Sequence, residues 1–228
     1  MPGKEIYERA DQYEQLVSFE DCQHNLAPAL NRIRRLDGLD VVELGAGTGR
    51  LTCLIAPQVR SVLAFDASAP MLQVAKAKLE RSGLQHCRVA VADHRRLPLG
   101  DASADLILAG WTIAQLVAWN LATWQTQVAP VLAEAQRALR PGGTIVIIET
   151  LGTGYATPYR PDKLAPYYSW LEERGFASTW IRTDFQFKSP AEAKALMGFF
   201  SGEAVAEEIV NKNGIIVPEC TGLWWLNV

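Results

Sequence analysis

The chain is poor in the groups that build metal and disulfide chemistry. Its 228 residues hold four cysteines, Cys22, Cys53, Cys87 and Cys220, and three histidines, His24, His86 and His94. The cysteines are far apart and the histidines scattered, so there is no zinc knuckle and no Cys-x-x-Cys pair. No built-in metal is expected, and the cysteines read as reduced, interior thiols. Long apolar runs are also missing, none approaching the roughly 18 residues that span a bilayer. The opening Met1-Pro2-Gly3-Lys4-Glu5 has no apolar signal-peptide core. The expected setting is the cytoplasm, away from membranes. An excess of positive charge is absent too: 22 Lys+Arg stand against 25 Asp+Glu, a net charge of −3. Proteins that grip a phosphate backbone usually carry a basic excess, so a nucleic-acid partner is disfavoured.

What is present is ordinary globular composition, 49% hydrophobic and 21% charged. The length suits one domain with a modest appendage. Residues 1–36 read as a helical cap, with Ile6, Tyr7, Ala10, Tyr13, Leu16 and Val17 near helical spacing and a second helix through Leu26, Leu30 and Ile33. From 37 to 150 short apolar runs alternate with helical stretches. Strands are expected at 41–44, 61–65, 87–92, 105–109 and 144–149. Ser68 is placed to cap a helix striped by Met71, Leu72, Ala75 and Leu79, with Gly83 as its stop. A helix over 123–139 carries Pro130 as a kink or boundary. Such alternation predicts a Rossmann-like α/β fold, a seven-stranded, mostly parallel sheet covered by helices on both faces. Residues 151–228 form a second half with insertion helices, including one over 190–211. Strands near 179–187 and 215–228 are expected to supply an antiparallel edge.

The informative segment is Val41-Val42-Glu43-Leu44-Gly45-Ala46-Gly47-Thr48-Gly49-Arg50-Leu51-Thr52. A buried strand runs into three alternate glycines and then a helix, at the sheet edge where open α/β folds bind ligands. Two ligands compete for such a loop. A dinucleotide loop is written G-x-G-x-x-G/A, its third small residue letting helix and strand pack closely. Here Arg50 occupies that position and the spacing is G-x-G-x-G, with the acid Glu43 two residues ahead of Gly45.

The string from Glu43 to Leu51 resembles motif I of the class I S-adenosylmethionine-dependent methyltransferases, and in particular their small-molecule, type 11/25-like members. Further positions join it: Asp66 ending the second strand 21 residues after Gly45, Asp93-His94 and the following Leu97-Pro98 after the third, and Arg140-Pro141-Gly142-Gly143 before the fifth. The resemblance covers residues 37–150. It implies S-adenosylmethionine as cofactor and S-adenosylhomocysteine as product. It implies cofactor contacts from Glu43, Gly45, Ala46, Gly47 and Gly49, from Asp66 and Ala67 at the ribose, and from Met71, Asp93 and His94 around the adenine. Trp111 would wall the sulfonium by cation–π attraction, beside a Gly110 that allows close approach, and Tyr13 would close over the cofactor.

The acceptor is less legible. The aromatic set Tyr7, Trp111, Tyr155 and Tyr159 suggests a small or medium, partly apolar acceptor. His94 and Glu149 are the candidate catalytic bases. An Asn/Asp-Pro-Pro-Tyr/Phe motif is absent, which disfavours amino-group DNA and protein-glutamine substrates. Three other readings stand beside a small-molecule methyltransferase: an RNA- or protein-methylating enzyme on the same fold, an NAD(P)-dependent oxidoreductase, and a non-catalytic adenosyl-ligand binder. Monomer and homodimer are both open.

Overall fold

The computed structural model describes Ile6 and residues 8–228; Tyr7 lies outside the described residues. Two short helices, α1 (Ala10–Val17) and α2 (Leu26–Ile33), open the chain. They are followed by β1 (Asp40–Leu44), α3 (Arg50–Ile55), β2 (Ser61–Asp66), α4 (Ala69–Arg81), β3 (Cys87–Val91) and β4 (Ala104–Gly110). Next come α5 (Ile113–Trp119), α6 (Trp124–Ala138), β5 (Leu139–Thr153) and α7 (Ala165–Glu173). The chain closes with β6 (Ala177–Arg182), β7 (Phe185–Gln186), α8 (Pro190–Ser201), α9 (Glu203–Asn213), β8 (Ile216–Val217) and β9 (Glu219–Asn227).

Seven strands form one sheet in the order β3-β2-β1-β4-β5-β9-β6. The inner strands are apolar almost throughout because helices cover both faces. Val42, Leu44, Ile107 and Ala109 face the α5–α6–α7 layer, and Val41, Leu106, Leu108, Val146 and Ile148 face the α2–α3–α4 layer. Strands β3, β2, β1, β4 and β5 pair in parallel with one another in that order. The antiparallel strand is β9, and it lies inside the sheet, paired with β5 on one side and β6 on the other. The outermost strand β6 therefore runs with the parallel set, which corrects the expectation of an antiparallel strand at the edge.

Local details differ where long-range packing decides. Ser68 caps α4 as expected, its hydroxyl accepting the Met71 amide at 3.4 Å. Pro130 does not divide α6, which runs through it. The 190–211 helix is broken at Gly202 into α8 and α9. The strand expected over 179–187 stops at Arg182, and β7 leaves to pair with β8. A third apolar cluster joins Leu16 of α1 to Phe185, Phe187, Leu196, Met197 and Val210. Through it the C-terminal helices sit on α1, above the carboxyl ends of β1, β4 and β5. All four cysteines are free thiols, with Cys87 and Cys220 buried.

Candidate active site at the carboxyl edge of the sheet

The bend after β1 is fixed by the neighbouring strand. The amides of Gly45 and Ala46 both donate to the Phe65 carbonyl, at 2.7 and 3.0 Å. The Gly47 amide donates to Asp66 Oδ2 and the Ser68 amide to Oδ1, each at 2.8 Å. Asp66 thus organises the loop itself. At Gly45, where φ is +72°, an added Cβ would lie 2.2 Å from Thr112 Oγ1. At Gly47, where φ is +52°, it would meet only the Tyr13 ring, at 3.8 Å. The first glycine is consumed by packing inside the protein, while at the second a Cβ would come only into ordinary van der Waals contact with Tyr13. Gly110 also lines the cavity described next, but a Cβ there would lie 2.3 Å from Leu51 Cδ1. Its missing side chain admits Leu51, not a ligand as the sequence suggested.

A cavity of about 120 Å³ lies above this bend. Glu43, Gly45, Ala46, Gly47, Thr48 and Arg50 line one side, and Gly110, Trp111 and Gln115 line the β4 end. Glu149, Thr150, Thr153 and Glu219 form the far wall. Tyr13, Leu16, Val17 and Glu20 roof it together with Phe185, Met197 and Phe200. Trp111 holds a left-handed backbone, φ +49°, an unusual conformation for a bulky residue. Its ring carries the Arg50 guanidinium at 4.1 Å. Arg50 also forms an ion pair with Glu20.

The cavity is rich in acid. Burial pushes the carboxyls of Glu43, Glu149 and Glu219 up to about 8, and it raises Glu20 as well. The shifts are partly offset by hydrogen bonds. Thr52 Oγ1 donates to Glu43 at 2.5 Å, the Ala114 amide to Glu149 Oε1 at 2.8 Å, and Thr150 Oγ1 to Glu219 Oε1 at 2.6 Å. Burial likewise pushes the Tyr13 phenol up to about 12. Among the described residues, four buried polar atoms on the lining have no hydrogen-bond partner: Thr48 Oγ1, Arg50 Nη2, Gln115 Oε1 and Glu219 Oε2.

Among the expected site residues, Glu43, Gly45, Ala46, Gly47, Tyr13, Trp111 and Glu149 therefore converge on one cavity. Others do not line it. Gly49 caps α3 with its φ of +79° and packs against Ala75. Ala67 is exposed, and Met71 is fully buried on the inner side of α4. Asp93 is exposed and forked by Arg95, whose guanidinium donates to both carboxylate oxygens and holds the group down at about 2. His94 Nε2 accepts the Gly45 amide at 3.1 Å, and burial lowers its basicity. As a base facing the cavity, His94 is corrected: its nitrogen is engaged by the loop. Tyr155 and Tyr159 are also corrected. They stack on each other at 4.7 Å, half-exposed, over Gly152. Sequence reasoning missed Glu20, Arg50, Gln115 and Glu219. The readable signal for Glu219 was a lone acid opening an otherwise apolar strand, since a buried charge requires a reason.

Residues 42–147 match the family model described as "Methyltransferase domain". The chain is 32% identical over 145 residues to a demethylmenaquinone methyltransferase of Lactococcus lactis, covering 61% of this chain and 53% of that protein. It is 28% identical over 183 residues to a probable S-adenosylmethionine-dependent methyltransferase of Mycolicibacterium smegmatis, covering 80% and 63%. The chain thus spans less than two thirds of either relative's length. Among solved structures, a SAM-dependent methyltransferase from Aquifex aeolicus superposes with a TM-score of 0.62 at 15% identity, covering 97% of this chain and 98% of that one. That likeness is one of fold.

Proposed function

Because the chain belongs to the class I S-adenosylmethionine-dependent methyltransferases, we propose that it transfers a methyl group from S-adenosylmethionine to a small-molecule acceptor, releasing S-adenosylhomocysteine. The observation that carries this reading is the single cavity, which joins the glycine bend on one side to an acid-bearing, partly apolar wall on the other. The residues fit the donor's amino-acid end. Arg50 Nη2 and Thr48 Oγ1 are buried donors without partners, suited to a carboxylate. Glu43 and Glu20 suit an ammonium, and the side-chain-free backbone of Gly47 lies beneath Tyr13. Trp111 offers an aromatic wall to a sulfonium. At the adenosine end Asp66 keeps acceptor capacity, because each oxygen has taken one amide hydrogen. Asp93 and His94 follow β3 at the same edge of the sheet and are the proposed adenine contacts.

When bound, S-adenosylmethionine supplies an electrophilic methyl group. The chain's own contribution is positioning and the exclusion of water. Glu149 faces the cavity with a carboxyl held near neutral range, the range in which a general base works. Leu16, Val17, Phe185, Met197 and Phe200 favour an acceptor with an apolar body. The Lactococcus relative is named for demethylmenaquinone, and an acceptor of comparable apolar character suits this wall.

Titration calorimetry of the purified chain tests the reading, using S-adenosylhomocysteine with NADH as control and Asp66→Ala as comparison. S-adenosylhomocysteine binds and the variant weakens it at least tenfold. Binding of NADH alone sinks the reading in favour of an oxidoreductase.

A further inference from the structure

Two buried acceptor atoms face the cavity away from the glycine bend, one on the far wall and one at the β4 end. Glu219 is 3% exposed. Its Oε1 receives the Thr150 hydroxyl, while its Oε2 lies within the influence of the Thr153 side chain but accepts no well-formed hydrogen bond. Gln115 is 8% exposed, and its Oε1 is likewise buried without a partner. Buried acceptors are normally satisfied, because leaving one unpaired forfeits the hydration it had in the unfolded chain. Glu219 sits at the start of β9 and Gln115 in the first turn of α5, so tertiary structure alone brings them to one cavity.

The surroundings select among ligand head groups. Glu149 stands on the same wall, while Arg50, the guanidinium on the lining, is already engaged by Glu20 and stacked on Trp111. The open Arg50 Nη2 is suited to the donor's own carboxylate, so an acceptor's carboxylate or phosphate head would meet two carboxyl groups, Glu149 and Glu219, with no second cation among the described lining residues. A hydroxyl offers one hydrogen to two waiting acceptors. A protonated amine offers two or three, with charge of the right sign. Phe185, Met197 and Phe200 supply the apolar part of the roof above, beside Glu20 and Tyr13.

We propose that Glu219 and Gln115 form the head-group subsite for the methyl acceptor, and that this acceptor is a small primary or secondary amine on an apolar body. The proposal rests on the methyltransferase reading above and names the substrate class for that site. The amine enters as an ammonium, and the Glu219 carboxylate takes one of its protons. The nitrogen lone pair then forms the N–C bond while the donor's C–S bond breaks, its electron pair remaining on sulfur. The product leaves as the N-methylated ammonium, and Glu219 returns its proton to solvent. Burial makes this carboxyl more basic than an exposed one, and an adjacent ammonium favours its ionised form.

The test is calorimetry on the full chain saturated with S-adenosylhomocysteine, titrated with phenethylamine, 2-phenylethanol and phenylacetate. The amine binds at least tenfold tighter than either analogue. Glu219→Gln, which can still accept the Thr150 hydroxyl, removes that preference and leaves S-adenosylhomocysteine affinity within about twofold; Gln115→Leu lowers amine affinity several-fold. Tritium from labelled S-adenosylmethionine appears in the amine alone. Equal binding of the three probes, binding of none, preference for the alcohol or acid, or an amine preference that survives Glu219→Gln overturns the proposal while leaving the methyltransferase reading intact. Failure to bind S-adenosylhomocysteine at all strikes the methyltransferase reading and the amine proposal with it.

Discussion

The guanidinium of Arg50 lies over the indole of Trp111, 4.1 Å from the ring centroid, and the same group is ion-paired to Glu20 behind α1. One side chain thereby ties the N-terminal cap to the end of β4. The Glu20 and Arg50 side chains are 7% and 21% exposed, so the pair is largely desolvated. Arg50→Ala leaves a buried carboxyl without its cation, and we expect a loss of about 2–3 kcal/mol of stability. The double variant Arg50→Ala/Glu20→Gln recovers more than half of that, because the uncompensated charge is gone. Urea denaturation of both variants measures the difference. An additive double variant would mean that the pair carries no coupling.

The glycines of the bend should respond unequally to alanine. Gly45→Ala places a Cβ 2.2 Å from Thr112 Oγ1 and 2.3 Å from Thr112 Cβ, at a backbone φ of +72°. Gly47→Ala meets only the Tyr13 ring. Gly47→Ala should cost about 1–2 kcal/mol from its left-handed backbone alone, whereas Gly45→Ala should cost several times that or fail to fold. Thr112→Ala does not rescue Gly45→Ala, since the clash includes the Thr112 Cβ that alanine retains; Thr112→Gly does. Thermal denaturation of the four variants checks the order.

The carboxyl edge of the sheet was legible because parallel strands buried on both faces write themselves as short continuous apolar runs. The bend after β1 announces itself by alternate glycines. That reading reached Glu43, Gly45, Ala46, Gly47, Trp111 and Glu149, all on the cavity. It failed where the deciding partner is distant. The position of β9 inside the sheet depends on pairing with both β5 and β6, which no local pattern encodes. Glu219 gains its meaning from Thr150, 69 residues earlier. Tyr155 and Tyr159 look like lining aromatics by composition, yet they satisfy each other by stacking. Helix α5, seven residues long, is too short to show a periodic stripe.

Three carboxyls at the site are pushed from an ordinary value of 4.5 up to about 8 by burial: Glu43, Glu149 and Glu219. In each the folded state holds its proton more tightly than the unfolded chain. The stabilisation linked to that proton is complete below about pH 4.5 and is lost as pH rises through 8. Stability should therefore fall between pH 5 and 8. Glu149→Gln keeps an oxygen for the Ala114 amide but cannot ionise. It should flatten this decline and gain on the order of 2 kcal/mol over the parent at pH 8, with little difference at pH 4.5. Melting temperatures across that range give the slope. A parallel offset at every pH would show that Glu149 is not a source of the decline.

Pro130 offers a test away from the site. It lies inside α6, exposed, while Val128, Val131, Leu132 and Ala135 form the buried stripe of that helix. It has no amide hydrogen to give the Thr126 carbonyl one turn earlier, and its ring crowds that turn. Alanine restores the donor and relieves the crowding, a gain of up to about 3 kcal/mol in a helix interior. The unfolded chain gains freedom when proline is removed, which offsets about 0.5–1 kcal/mol. Pro130→Ala should therefore stabilise the protein by up to about 2–2.5 kcal/mol, the difference of those two terms. The measurement is the urea midpoint with an unchanged m-value. A lower midpoint would mean that the buried stripe of α6 is fitted to the backbone geometry proline imposes, and that the helix depends on the residue that looks least suited to it.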